Sequence, residues 1–139
     1  MQSFERDRIA IRYPDSWTAE EAADDDTGAW TVTVQSPDTA FLMLSLQPDA
    51  DHPGDVAEQA LEALRAEYKE LDVEDVVETI CGQPAVGFNA DFLTVDTATA
   101  CRVRCLATDA GPLLLMSQVS EYDPVLAAII KSLDVDADG

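Results

Sequence analysis

The chain has 139 residues, 47% of them apolar, so it can form one domain with a sizeable core and is too apolar to be disordered. Its 28 acidic and 8 basic side chains give a net charge of −20, which repels phosphate backbones and anionic lipid headgroups. We therefore expect neither nucleic acid nor a membrane as a partner. A basic protein or a cation is still compatible with this charge. A general acidic shell that maintains solubility, as in a saline habitat, is the competing explanation of the charge.

The first third of the chain predicts three strands separated by turns. Residues 7–13 alternate in polarity and lead into a proline-containing turn at residues 13–16. The acidic segment 19–28 is predicted to be a loop. Residues 29–35 then alternate again, and residues 40–47 are apolar nearly throughout, which predicts a central strand covered on both faces.

Two segments have apolar residues at helical spacing, each with one apolar stripe. The first covers about residues 54–71, and the second covers about residues 121–133. Ser120 and Asp123 are expected to cap the second helix. Residues 73–80, between the two helices, predict a further strand.

A hairpin after this strand gives a specific register. We place its turn at residues 96–97. Asp91 then lies opposite Arg102, and in the same register Asn89 lies opposite Arg104. Six apolar residues share the other face: Phe88, Ala90, Phe92, Cys101, Val103 and Cys105. A slip of one residue would destroy both patterns, so the two faces are well specified.

A second hairpin, turning at residues 110–111, brings residues 112–119 alongside. Most neighbouring strands are joined by short turns, which predicts a mainly antiparallel sheet of about six to seven strands. Each of the two main helices needs a sheet face to bury its stripe. We therefore predict a single α+β sandwich domain over residues 1–134, followed by a disordered acidic tail over residues 135–139.

Four short motifs occur in a familiar order and spacing. They are Tyr13-Pro14-Asp15-Ser16-Trp17, Ser36-Pro37, Gly82-Gln83-Pro84-Ala85 and Ile130-Lys131-Ser132-Leu133. With the order of elements, they resemble the Mog1/PsbP-like superfamily, including the DcrB-like bacterial proteins of the DUF1795 type. Known members are mostly not enzymes: one branch binds a small GTPase, one is a lumenal subunit of the photosynthetic oxygen-evolving complex, and a bacterial branch chaperones secreted effectors. The resemblance implies a non-enzymatic protein-binding module, and no branch-specific motif is matched.

Acidic runs offer candidate cation sites, but their spacing argues against each one. Residues 134–139 copy the first half of an EF-hand loop without its second half, so an acidic tail is favoured. The runs at residues 24–26 and 49–52 are adjacent rather than converging, which is typical of solvated loops. His52, the only histidine, has no accompanying nucleophile motif. We predict no catalytic residue, no metal site and no cofactor.

The three cysteines indicate a reducing compartment. Their number is odd and no Cys-x-x-Cys pair occurs, so we expect free thiols in a cytoplasmic protein without a signal peptide. Cys101 and Cys105 would lie about 13 Å apart along one strand face, too far for a disulfide. Scattered thiols and a single histidine also fail to provide the paired ligands of a zinc site.

Arg102 and Arg104 are the sharpest candidates for a binding role. Two arginines on one face of an inner strand of an acidic protein can bind a carboxylate in a bidentate manner. The alternative is a structural cross-strand pair with Asp91, with Asn89 as the second partner. We favour the structural alternative.

Tyr13 and Trp17 flank the first turn, where they could contact a partner or, as we favour, anchor the turn to the sheet edge.

The function predicted first is non-enzymatic binding of a protein, as a chaperone or adaptor, with a homodimer left open. The alternative is a small-ligand-binding domain with a pocket between the sheet and a helix, near Arg102 and Arg104. A cation-binding acidic module is the third option. A deep apolar pocket beside the arginines would favour the small ligand, and a flat sheet face would favour a protein.

Overall fold

The computed structural model describes residues 1–38, 40–94, 97–119 and 123–135, and it shows nine strands and two helices within them. The strands are β1 (Gln2–Arg6), β2 (Ile9–Tyr13), β3 (Thr18–Ala23), β4 (Trp30–Gln35), β5 (Phe41–Leu46), β6 (Asp72–Ile80), β7 (Gln83–Thr94), β8 (Thr97–Thr108) and β9 (Gly111–Val119). The helices are α1 (Pro53–Glu67) and α2 (Pro124–Lys131).

A seven-stranded antiparallel sheet, in the order β3-β4-β5-β9-β8-β7-β6, forms the centre of the fold. The strands β1 and β2 form a separate two-stranded ribbon. Helix α1 packs on one face of the main sheet over β7, β8 and β9. Helix α2 and the ribbon cover the other face, where Leu126 and Ile129 join the core of β4, β5 and β9. The predicted α+β sandwich with a mainly antiparallel sheet is confirmed.

The N-terminal region differs from the single strand predicted over residues 7–13. It is a hairpin whose turn residues, Asp7 and Arg8, have φ values of 54° and 68°. Two successive positive φ values suit a tight two-residue hairpin turn, which commonly contains glycine or asparagine. The Trp30 indole Nε1 donates a hydrogen bond of 2.8 Å to Asp7 Oδ2 and fixes the turn against β4. Phe4 packs on the Trp30 ring, with centroids 5.2 Å apart.

The acidic segment predicted to be a loop contains strand β3. All six of its residues are exposed, and its backbone pairs with β4 from Thr18↔Gln35 to Ala23↔Trp30. A strand that buries neither face has no apolar alternation. The prediction of a loop over residues 19–28 is therefore wrong for its first part, and the sheet gains an edge strand there.

Helix α1 ends at Glu67, before the predicted residue 71, because Tyr68 has extended dihedral angles. The Tyr68 ring instead stacks on Phe92, with centroids 4.0 Å apart. Helix α2 begins at Pro124, later than the predicted residue 121, and its N-cap is Asp123, whose carboxylate accepts hydrogen bonds from the amides of Val125 and Leu126. Residues 120–122, including the predicted cap Ser120, lie outside the described residues.

The register of the β7–β8 hairpin is offset by two residues from the prediction. Thr94 pairs with Thr97, and residues 95–96 between them lie outside the described residues. Asn89 lies opposite Arg102, and Asp91 lies opposite Ala100, so the predicted Asp91–Arg102 pair is wrong. Because strand side chains repeat every two residues, the offset leaves both faces unchanged, and the predicted apolar face is buried under α1.

The second hairpin turns at Asp109 and Ala110, one residue earlier than predicted, with Thr108 paired to Gly111. The Thr108 hydroxyl donates a hydrogen bond of 2.7 Å to the Gly111 carbonyl, which closes this turn. At the C-terminal end, the backbone of Asp134 pairs with Ala10, and Val135 is buried in the core. Val135, placed in the tail by the sequence, is thus part of the folded domain, and residues 136–139 lie outside the described residues.

Candidate functional site

A cavity of about 400 Å³ lies between the main sheet and α2, on the face opposite α1. This volume is within the range of about 300–1,000 Å³ that is usual for small-molecule sites. Its apolar lining comes from the sheet strands β5, β6, β8 and β9 and from helix α2, and it includes Leu42, Ile80, Leu115, Val119, Leu126 and Ile130. Its polar lining consists of Glu78, Arg102, Arg104, Ser117, Asp123 and Lys131.

Small side chains on the sheet and the shortness of α2 explain why the cavity is not filled by the protein itself. Ala100 and Ser117, on neighbouring strands, are small residues whose side chains point to the cavity side of the sheet. Helix α2 has only eight residues, so it covers only part of that face. A short helix above small sheet residues leaves apolar surface that no other described element fills.

Arg104 is a buried structural group at the base of this cavity, only 8% exposed. Its Nε donates to Glu78 Oε1 at 2.7 Å, and its Nη2 donates to Asn89 Oδ1 at 2.8 Å. Its Nη1 donates to the carbonyl oxygens of Phe88 at 3.0 Å and Val103 at 2.9 Å. The side chain therefore links β8 to β6 across β7.

Gly87 makes this crossing geometry feasible. It lies opposite Arg104 in the β7–β8 ladder and has no side chain between Arg104 and the edge strand. The backbones also approach closely here, because a Cβ added at Gly87 would overlap the carbonyl group of Val103. A glycine is needed where two strands come this close.

Arg102 and Lys131 differ from Arg104, because both are exposed. Neither makes an ion pair or a side-chain hydrogen bond with any residue in the described ranges. The Asp123 carboxylate, which also lines the cavity, is engaged as the cap of α2. The cavity lining thus contains two cationic side chains without a partner in the described part of the chain.

The five candidate binding residues predicted from the sequence lie in three different regions of the structure. Arg102 and Arg104 line the cavity together. Asp91 lies in a different, open groove at the C-terminal end of α1, beside Asp72 and Leu93. Tyr13 and Trp17 are 9% and 6% exposed and belong to the core of the ribbon face. The Trp17 amide donates to the Pro14 carbonyl at 3.0 Å, which closes the turn that these aromatics flank.

Ser117 and Lys131 were missed by the sequence reasoning. Ser117 lies directly opposite Arg102 in the β8–β9 ladder, so a correct turn at residues 109–110 would have found it. Its hydroxyl makes no hydrogen bond to the described residues, although the residue is only 6% exposed. Lys131 lies in the last turn of α2 and has no sequence signal that relates it to the arginines.

Cys101 and Cys105 lie on the opposite face of β8, under α1, and are buried as predicted. Burial raises the pKa of Cys101 to about 11, with a smaller opposing effect from a hydrogen bond to Gln118. Burial raises the pKa of the Cys105 thiol to about 12. Both thiols stay protonated at neutral pH and are therefore poor nucleophiles. All three cysteines are described, and none forms a disulfide.

Two features are absent from the described residues. No group of three or more histidine, cysteine, aspartate or glutamate side chains there is arranged to hold a metal ion. No helix in the same ranges combines the length and apolar character needed to cross a bilayer.

The sequence matches no family model and no curated protein, but several solved structures share its fold. A Bacteroides thetaiotaomicron protein superposes with a TM-score of 0.62 at 14% identity, covering 99% of this chain and 49% of its own length. This chain therefore spans about half of that protein. PA94 of Pseudomonas aeruginosa, of unknown function, has a TM-score of 0.53 at 14% identity, with 95% and 94% coverage. LpqN of Mycobacterium tuberculosis, involved in cell envelope biogenesis, has a TM-score of 0.50 at 13% identity, with 91% and 82% coverage. At these identities the likeness shows a common fold.

Proposed function

We propose that this chain binds a small, largely apolar ligand in the cavity between the main sheet and α2, without catalysing a reaction on it. The observation that carries the proposal is a ligand-sized space of about 400 Å³ with leucine, isoleucine and valine walls. Apolar surface left uncovered inside a fold is stabilised when an apolar molecule fills it. The two carboxylates in its lining are already engaged, Glu78 by Arg104 and Asp123 by α2, which makes them poor general bases.

Two finer assignments are part of the same proposal. The order of elements, the four short motifs and the fold shared with PA94 and LpqN support membership of the Mog1/PsbP-like superfamily. Three cysteines without a disulfide support residence in a reducing compartment such as the cytoplasm.

Filling the cavity is expected to abolish ligand binding. Ala127 lines the cavity from α2, so Ala127→Phe places a benzyl group in the space where a ligand would lie. The neutral fluorophore N-phenyl-1-naphthylamine should bind the wild-type protein with increased fluorescence. Its affinity should fall by at least about tenfold in Ala127→Phe, equivalent to ~1.4 kcal/mol.

Ala128→Phe is the matched control, because Ala128 is the next residue of α2 and is exposed outside the cavity. It should bind the fluorophore as the wild type does. Equal binding by both variants and the wild type would show that the fluorophore lies elsewhere, and no binding by the wild type would contradict the proposal.

Protein binding, the second candidate function, is favoured by the free edge of strand β6. In the described part of the chain, β6 pairs only with β7, over nine residues without a bulge. It contains Asp72, Glu74, Asp75 and Glu78 and no basic residue, and Val77 is 74% exposed. An exposed edge can accept an extended segment as an additional strand, and these charges favour a basic one.

A labelled peptide of alternating lysine and valine tests this second candidate by fluorescence anisotropy. Glu74→Lys, on the β6 edge, should weaken its binding by about fivefold or more, since it reverses a charge beside the added strand. Glu20→Lys makes the same change on β3, at the opposite edge of the sheet, and should have a smaller effect. Equal weakening by both variants would indicate general attraction to an acidic protein instead of docking at β6.

A further inference from the structure

We infer that the ligand of this cavity carries an anionic head, a carboxylate or a phosphate monoester, on its apolar body, and that Arg102, Ser117 and Lys131 bind that head. This inference rests on the proposed function and adds the chemical class of the ligand.

The distribution of positive charge supports an anionic head. The chain has only 8 basic side chains against 28 acidic ones, and 3 of the 8 line this one cavity. Of the eight basic side chains, only Arg8 and Arg104 form an ion pair with a described residue, namely Asp109 and Glu78. The basic side chains without such a pair include Arg102 and Lys131, and these two line the cavity.

The carboxylates of the lining do not neutralise these two cations. Glu78 is held by the Arg104 Nε at 2.7 Å, and Asp123 accepts two amide hydrogen bonds at the start of α2. Salt screens exposed charges that lie more than about 8 Å from the cavity. Charges beside an apolar wall interact more strongly with a ligand than charges in open water. The local field therefore favours an anion although the whole molecule is acidic.

The strand register adds a neutral donor to the two cations. Ser117 lies directly opposite Arg102 on the adjacent strand, facing the same cavity. Its hydroxyl has no hydrogen-bond partner in the described residues, and it can donate to an oxyanion next to the guanidinium. A guanidinium with a neighbouring hydroxyl suits an oxyanion with two or more oxygen atoms. The apolar walls formed by Leu115, Leu126 and Ile130 then receive the body of the ligand.

Three probes with the same eight-carbon chain test the inference: octanoate, octyl phosphate and 1-octanol. Their affinities are measured by isothermal titration calorimetry, so that the result does not depend on a reporter dye. At least one of the two anions should bind about tenfold or more tightly than 1-octanol, because charge-assisted hydrogen bonds to the head are absent in the alcohol. Comparison of octanoate with octyl phosphate distinguishes the two kinds of head.

Arg102→Gln and Lys131→Gln should each weaken the preferred anion by about tenfold and leave 1-octanol unchanged. Arg65→Gln, which removes the same charge from the last turn of α1 on the other face of the sheet, should change neither. Equal affinities for the alcohol and both anions, or equal weakening by Arg65→Gln, would overturn the anionic head and leave the cavity function intact. Absence of binding by all three probes and by N-phenyl-1-naphthylamine would overturn both.

Discussion

Replacing Gly87 by alanine is expected to lower the free energy of unfolding by about 3 kcal/mol or more. A Cβ at this position would overlap the carbonyl oxygen of Val103 and lie 2.7 Å from its carbonyl carbon. These are backbone atoms of the paired strand, so they cannot rotate away as a flexible side chain would. Relief of the overlap requires β7 and β8 to separate, which weakens their ladder and displaces Arg104 from its partners.

Gly54→Ala is the matched control for this prediction. A Cβ at Gly54 would have no atom within 4 Å, and the residue lies in the first turn of α1. Alanine should be neutral or stabilise the helix by up to about 1 kcal/mol. Urea denaturation followed by circular dichroism measures both variants. Equal stability of Gly87→Ala and the wild type would show that the strands do not approach as closely as described.

Replacing Arg104 by leucine is expected to lower the free energy of unfolding by about 3 kcal/mol, whereas Arg102→Leu should change it by less than about 0.5 kcal/mol. The first variant removes the buried side-chain donors to the Phe88 and Val103 carbonyl oxygens and to the Asn89 Oδ1. Glu78 can still be hydrated, since its side chain is 47% exposed, so it adds less to the loss.

The same denaturation experiment compares the two arginine variants, which remove the same charge from one strand face two residues apart. Similar stabilities of Arg104→Leu and Arg102→Leu would contradict the assignment of a structural role to Arg104 and not to Arg102. A large loss from Arg102→Leu would indicate a structural partner for that side chain.

The two faces of the β7–β8 hairpin could be predicted from the sequence, but its register could not. Side chains alternate between the two faces of a strand, so Phe88 and Cys101 share one face and Arg102 lies on the other. This assignment is the same in two registers that differ by two residues. The choice depends on the turn and on which residues fit opposite each other. Gly87 opposite Arg104 allows the guanidinium to cross β7, an arrangement that hydrophobic patterning does not encode.

Strands β1 and β3 were missed for two different physical reasons. The β1–β2 turn uses Asp7 and Arg8 where such turns commonly have asparagine and glycine, so the hairpin has no typical signal. Strand β3 is exposed on both faces, and only its backbone pairing with β4 defines it.

The candidate site was predicted only in part. Arg102 and Arg104 were correctly expected to share a face, but their different roles depend on their neighbours across the ladder. Ser117 and Lys131 join them through the β8–β9 register and the position of α2 over the sheet. Contacts between such distant segments are set by tertiary packing.

The link from Arg104 to Glu78 has a consequence for how a molecule can enter the cavity. Edge strands are commonly the first part of a sheet to fray, and β6 forms one side of this cavity through Glu78 and Ile80. Detaching β6 would separate the Glu78 carboxylate from the Arg104 guanidinium, which is only 8% exposed and would be poorly hydrated. We therefore expect β6 to stay paired on this side of the cavity. Helix α2 is held less closely by the main sheet, because its backbone lies nearest to strand β2 of the ribbon. We therefore expect a ligand to enter and leave the cavity beside α2 and not through an opened β6 edge.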